Sequence, residues 1–390
     1  GSDMNDWRYQ GAAMIGRFTD KSQLSIILNG NNTNNRGFND VAGSMMQNMR
    51  GNRGMGRGMG GWRGNNGIST SWMGGLNGAF TLLDGDMDLS GNYLYNGTDK
   101  YVEEETAKIT YMDDGSRLLN NETGTNSTFS QGHRFGVRLE HEFSKNTSII
   151  FEPQFNFGSG YFNEISDFNT ATRAKGATVE QKETDGYNRN YGANDNWSTS
   201  GFLLLRQRLG KAGRTISANI RYSFSNNRLD GFNQSETRKF QEGLTDIVNQ
   251  RYNQKSNSSS LSGRLVYTEP IAKNLFLEAN YSYSWNRNHS QKSTYNSGSD
   301  TVYVYNEYLE RNVLEYIVKD ERPDLIYSNE ITNLSQNHRA GVNFSYQLKK
   351  FRAQLGASVN PTITHNETTG HDAYDNKVVN WSPQAMVFFN

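Results

Sequence analysis

The chain of 390 residues contains no cysteine, so neither a disulfide framework nor a thiolate zinc site can be built from it. Net charge is missing as well: Lys+Arg and Asp+Glu both number 40. No global field draws it toward nucleic acid, and no nucleic-acid partner is expected. Runs of about 18 or more apolar residues are absent, which excludes helical membrane spans. There is no charged-then-apolar segment at the N-terminus of the kind that directs export. Apolar residues are scarce, at 34%, and the mean hydropathy is −0.81, too polar for the thick dry core that a soluble protein of this size needs. Aromatics nevertheless reach 12%, with 21 Tyr and 20 Phe, whereas disordered chains are poor in them. The polarity must therefore be patterned.

The pattern has period two. In NSSSLSGRLVYTEPIAKNLFLEANYSYSW, Leu261, Gly263, Leu265 and Tyr267 alternate with polar residues, interrupted by Val266. After the turn, Leu275, Leu277, Ala279, Tyr281, Tyr283 and Trp285 form a second in-phase set. Such alternation marks strands with one apolar and one wet face. It recurs along the chain in hairpin units: Trp7 to Gly30 about the turn TDKS, Gly67 to Gly97 about Asp84 and Gly85, and His133 to Phe157 about SKN. Further units turn at GKAG (210 to 213), at the stretch quoted above, and at Lys349 and Lys350, and a last run is VNWSPQAMVFF. About thirteen strands result. One-sided long connections are expected at 31–67, 100–127, 170–194, 240–250, 296–325 and 366–376.

Tight turns on one side, long connections on the other and strands of about ten residues are the signature of an outer-membrane barrel. The expected fold is all-β, an antiparallel up-and-down transmembrane β-barrel in the cell outer membrane. Leu277, Tyr281, Val342 and Phe344 are expected to face lipid, and Glu278, Asn280 and Asn343 the lumen. Tyr93, Tyr95, Tyr222, Phe224, Tyr281, Tyr283 and Trp285 sit where an interfacial aromatic girdle belongs.

Few residues suggest chemistry. SMMQNMRGNRGMGRGMGGWRGNN, from Ser44 to Asn66, brings together Met45, Met46, Met49, Met55, Met59, Arg50, Arg53, Arg57 and Arg63. Soft-metal or RNA binding is conceivable, but thioether ligands need fixed geometry, and an external low-complexity loop that folding does not require is the expected reading. Asp84, Asp86 and Asp88 are spaced like the start of a calcium loop. Leu89 stands where glycine is needed and Tyr95 where a bidentate Glu belongs, so a hairpin turn is expected instead. Of the histidines at 133, 141, 289, 338, 365 and 371, only His365 and His371 flank one loop. No nucleophile elbow, phosphate loop or dinucleotide fingerprint occurs. No catalytic, cofactor or metal residue is assigned, and no enzymatic activity is expected.

WRYQGAAMIGRFTDKSQLSIILNGNNTNNRGFND, the Gly-rich loop and GISTSWMGGLNGAF together resemble the barrel of Bacteroidota-type outer-membrane proteins of the TonB-dependent receptor class. The likeness is specific from Trp7 to Phe80 and one of architecture elsewhere. It implies a barrel of about 22 strands around a plug, and nutrient uptake driven by the TonB complex. It also implies outer-membrane lipid and a surface lipoprotein as partners. A plug, a TonB box and part of the strands are missing from residues 1–390, so the chain is expected to be a partial barrel domain of a larger one. A passive or adhesive barrel, or a membrane-embedded hydrolase, are the alternatives.

Overall fold

The computed structural model describes residues 7–33, 68–298, 301–307, 309–348 and 351–389. The expected Gly/Met/Arg-rich loop at 44–66, and Lys349 and Lys350, lie outside the described residues.

The strands are β1 (Gln10–Phe18), β2 (Ser22–Asn31), β3 (Ile68–Leu82), β4 (Met87–Tyr111) and β5 (Arg117–Ser144). They continue as β6 (Thr147–Arg173), β7 (Gln181–Arg208), β8 (Thr215–Lys239), β9 (Leu244–Ala272) and β10 (Leu275–Asn296). A short pair, β11 (Val302–Asn306) and β12 (Arg311–Glu315), precedes β13 (Arg322–Gln347), β14 (Phe351–Thr368) and β15 (Tyr374–Phe389). All but β11 and β12 form one sheet of 13 strands in chain order, each antiparallel to the next, while β11 and β12 pair only with each other. The strand number and up-and-down topology expected from the alternation are therefore present.

The two faces are inverted relative to a soluble protein. On β13, Val342, Phe344 and Tyr346 are 40–47% exposed, as is Leu348 just past its end at 49%, whereas Asn343 and Ser345 between them are only 7% and 6% exposed. Register carries this arrangement across strands. Leu277 pairs with Phe344 and Phe344 with Leu355, while Glu278 pairs with Asn343 and Asn343 with Gly356. The same inversion holds on β2, where Leu24, Ile26 and Leu28 are exposed and Ser25 is buried. Polar side chains crowd the concave face and apolar ones stand outward, as a sheet with a wet interior and a dry exterior requires.

Three of the long connections are not loops. Each strand from β4 to β9 has 25 to 29 residues, so the segments 100–127, 170–194 and 240–250 are mostly strand, and only 112–116, 174–180 and 240–243 lie between strands. Beyond the apolar belt both faces meet water, so alternation fades from the sequence. Backbone pairing does not depend on it and continues. At this far end the turns place Gly115, Gly176, Gly243 and Gly370 at φ of 83°, 77°, 65° and 78°, a conformation that side chains with a Cβ rarely adopt.

Candidate functional site: the polar wall and the docked hairpin

None of the sequence motifs assembles a reactive centre among the described residues. Asp84 lies in a single helical turn, Leu83–Gly85, that joins β3 to β4. His365 Nδ1 meets Asp375 Oδ1 at 2.7 Å, while His371 lies in the turn between β14 and β15 and its backbone N–H donates to the Thr368 carbonyl. No group of three His, Cys, Asp or Glu side chains gathers in the described residues to hold a metal ion. Two other histidines serve the aromatic belt. Tyr93 Oη lies 2.9 Å from His133 Nδ1, and Tyr281 Oη lies 2.9 Å from His338 Nδ1. Both pairs stand on the exposed face where the apolar stripe ends, which suits groups with one greasy and one wet end.

The concave wall is the richer surface. Near the short turns Arg138 is neutralised, paired with Glu140 at 2.9 Å and also in contact with Glu152. Two strands further round, the balance fails. Arg264 pairs with Ser282 and Ser282 with Arg339 in one register row, and Arg221 pairs with Ser262 one step along. Neighbouring strands lie about 4.8 Å apart and residues about 3.3 Å apart along a strand, so the backbone positions of Arg264 and Arg339 are about 10 Å apart and those of Arg221 and Arg339 about 16 Å. All three line an open depression of about 380 Å³ together with Ser262, Ser282 and Asn337. The Arg221 guanidinium lies 4.7 Å from the centre of the Phe202 ring, which holds its plane. The Arg264 side chain is 3.9 Å from Glu278, and no ion pair joins Arg221 or Arg339 to a carboxylate among the described residues. Sequence reasoning passed over these arginines because each is an isolated charge at a polar position of its own strand. Aligning the out-of-phase positions of β8, β9 and β13 would have brought them together.

Beyond the belt, the β11–β12 hairpin docks against the sheet. Leu314 is 2% exposed and Val313 5%. The Leu314 carbonyl accepts from Gln234 Nε2 at 2.8 Å, its N–H donates to Tyr187 Oη at 3.2 Å, and the Glu315 carbonyl accepts from Asn249 Nδ2 at 2.7 Å. Arg311 pairs with Asp167 at 2.6 Å, Tyr303 donates to Glu236 at 2.8 Å, and Arg251 pairs with Glu321 at 2.6 Å. Tyr187, Gln234 and Asn249 are in phase with Leu205, Ile220 and Leu261, so the hairpin lies on the outward face and is no lid over the polar wall. The hydrogen bond from Arg251 holds the Glu321 carboxyl below its usual 4.5, against the effect of desolvation. Burial, then the Glu321 carboxylate, push the Tyr316 hydroxyl up to about 12.

With this geometry in view, one comparison decides the fold's setting. Residues 207–390 match the model of the outer membrane protein beta-barrel family. No curated protein matches the chain. The match spans the last two residues of β7, all of β8 to β15 and the arginine-lined depression. The remaining strands are joined to it in one unbroken sheet. The chain is an outer-membrane β-barrel sheet, and the outer membrane is its location.

Proposed function

We propose that this chain forms the wall of an outer-membrane receptor that takes up a nutrient with energy supplied through the TonB complex. The observation that carries the reading is the polar, cation-bearing concave wall opposite the exposed apolar belt, which suits a passage for a hydrophilic solute through a dry layer. The resemblance over Trp7 to Phe80 supplies the energised mechanism. In it the belt meets outer-membrane lipid, a plug within the wall couples to the TonB complex, and a surface lipoprotein hands over the solute. Ligand handling here is binding and release without bond chemistry. The strands projecting beyond the belt also favour a second reading, a surface-binding or adhesive barrel. Uptake of labelled nutrients by cells expressing the parent gene tests the choice. Uptake that stops when the proton gradient is collapsed or TonB is removed supports the receptor, and retention of surface binding with no such uptake supports the adhesive barrel.

A further inference from the structure

We infer that the depression bounded by Arg221, Arg264 and Arg339 is a subsite for a small solute carrying two or more oxyanion groups, carboxylate or phosphate. The inference rests on the concave wall facing a solute path, as proposed above.

Three observations converge. The three arginines come from three different strands, yet all three line one depression with Ser262 and Ser282 between them, so a single solute long enough to span it can meet all of them. Their charge is under-compensated, with the Glu278 carboxylate near Arg264 the nearest counter-charge in an ion pair. Arg138, on the same wall, is by contrast flanked by both Glu140 and Glu152. Finally, beside Gly263, Tyr283 and His338 the remaining lining consists of hydroxyl and amide side chains such as Ser262, Ser282 and Asn337, with no carboxylate among the lining residues. Guanidinium groups present paired N–H donors that fit the two oxygens of a carboxylate or phosphate. A concave wall also strengthens their field by excluding part of the water. Separation of the three arginines over about three strand spacings calls for more than one anionic group on the solute, because one carboxylate cannot bridge all three.

The test uses the full 390-residue chain folded in detergent micelles, with folding checked by its electrophoretic mobility before and after heating. Titration calorimetry with citrate and with inorganic phosphate, at low and at high salt, measures binding, and glucose serves as the neutral control. Citrate binding tighter than phosphate binding, no glucose binding and a loss of citrate affinity of about tenfold or more for Arg221→Gln, Arg264→Gln or Arg339→Gln are expected. Arg339→Lys should recover part of the loss, and Arg138→Gln should leave the affinity unchanged. Equal affinity in the triple variant and the parent would overturn the subsite. So would a loss of the same size in Arg138→Gln, which would show diffuse attraction to the wall. Failure of both anions to bind, with the arginines needed only to retain an acidic protein segment, would overturn it as well. Binding that meets these criteria in a protein without energised uptake leaves the subsite standing and removes the transport reading alone.

Discussion

Placing a charge at Val342 measures which way the sheet faces. Val342 is 45% exposed and stands midway along the outward stripe that runs from Leu348 to His338 on β13. If that stripe meets hydrocarbon, Val342→Arg places a guanidinium near mid-membrane at a cost of about 2–4 kcal/mol. That corresponds to a drop of roughly 30- to 900-fold in the folding equilibrium constant. The inward control is Asn280→Arg on the neighbouring strand β10. Asn280 pairs with Gly341 on one side and with Val266 on the other, so an arginine there displaces no polar cross-strand partner, and the new charge points to water. Asn343 is a poorer control, because it is 7% exposed and is bonded to Glu278 and Gln384. An arginine there would disrupt two contacts for reasons unrelated to lipid. Urea titration of the chain folded into vesicles, read by tryptophan fluorescence, gives both free energies. A cost within about 0.5 kcal/mol for the two variants would refute the assignment of faces, since surface substitutions away from special sites usually fall in that range.

Three further perturbations address the projecting part of the sheet. Leu314→Ala removes the most buried side chain of the β11–β12 hairpin, and a loss of about 2–5 kcal/mol should accelerate amide exchange in 302–315 by about 30-fold or more while β13 is unaffected; unchanged exchange would show that the hairpin is held by its polar contacts alone. Because Glu321 titrates below 4.5 when docked, its contribution is present above the unfolded value and is lost as pH falls through the folded one, so hairpin exchange should rise below about pH 4.5. At the alkaline end the sign is opposite: Tyr303 and Tyr316, both raised from 10.0 to about 12, stabilise docking below pH 10 and lose that contribution as pH rises from there through 12. Exchange flat across both windows would contradict the hydrogen-bond pattern. Gly231→Val should displace Tyr252, whose ring would lie 2.6 Å from a Cβ at that position, and should free the Tyr252 hydroxyl from its 2.9 Å bond to Asn190; an unchanged ultraviolet tyrosine titration would refute this.

The belt was legible in the sequence because burial and exposure there differ between alternate residues. Leu277, Tyr281, Val342 and Phe344 could be assigned to one face, and Asn280 and Asn343 to the other, from spacing alone. The strand ends were not legible, since residues such as Glu103, Glu104 and Glu105 on β4 carry no contrast between faces and read as loop. A quieter signal was available in the glycines of the far turns, Gly115, Gly176, Gly243 and Gly370, each inside a supposed loop. The β11–β12 hairpin was hidden for a different reason. Its anchor, Leu314, is buried by contacts with Tyr187 and Gln234, which lie 127 and 80 residues away in the chain. The arginine cluster likewise exists only across strands.

The continuous register of β4 to β9 constrains how this surface can vary over evolutionary time. An ordinary external loop accepts an insertion of any length. Here a single added residue within a projecting strand would turn every later side chain to the opposite face, undoing sites such as the hairpin dock while leaving the membrane belt intact. Length can change freely only at the tips, or in pairs along two partnered strands, or where the ladder already slips, as between Thr170 and Ala171 and between Lys292 and Thr294. Diversity in the described projecting strands should therefore accumulate as substitutions on a fixed lattice, with gaps concentrated at the tips 112–116, 174–180, 240–243 and 369–373 and at those slips.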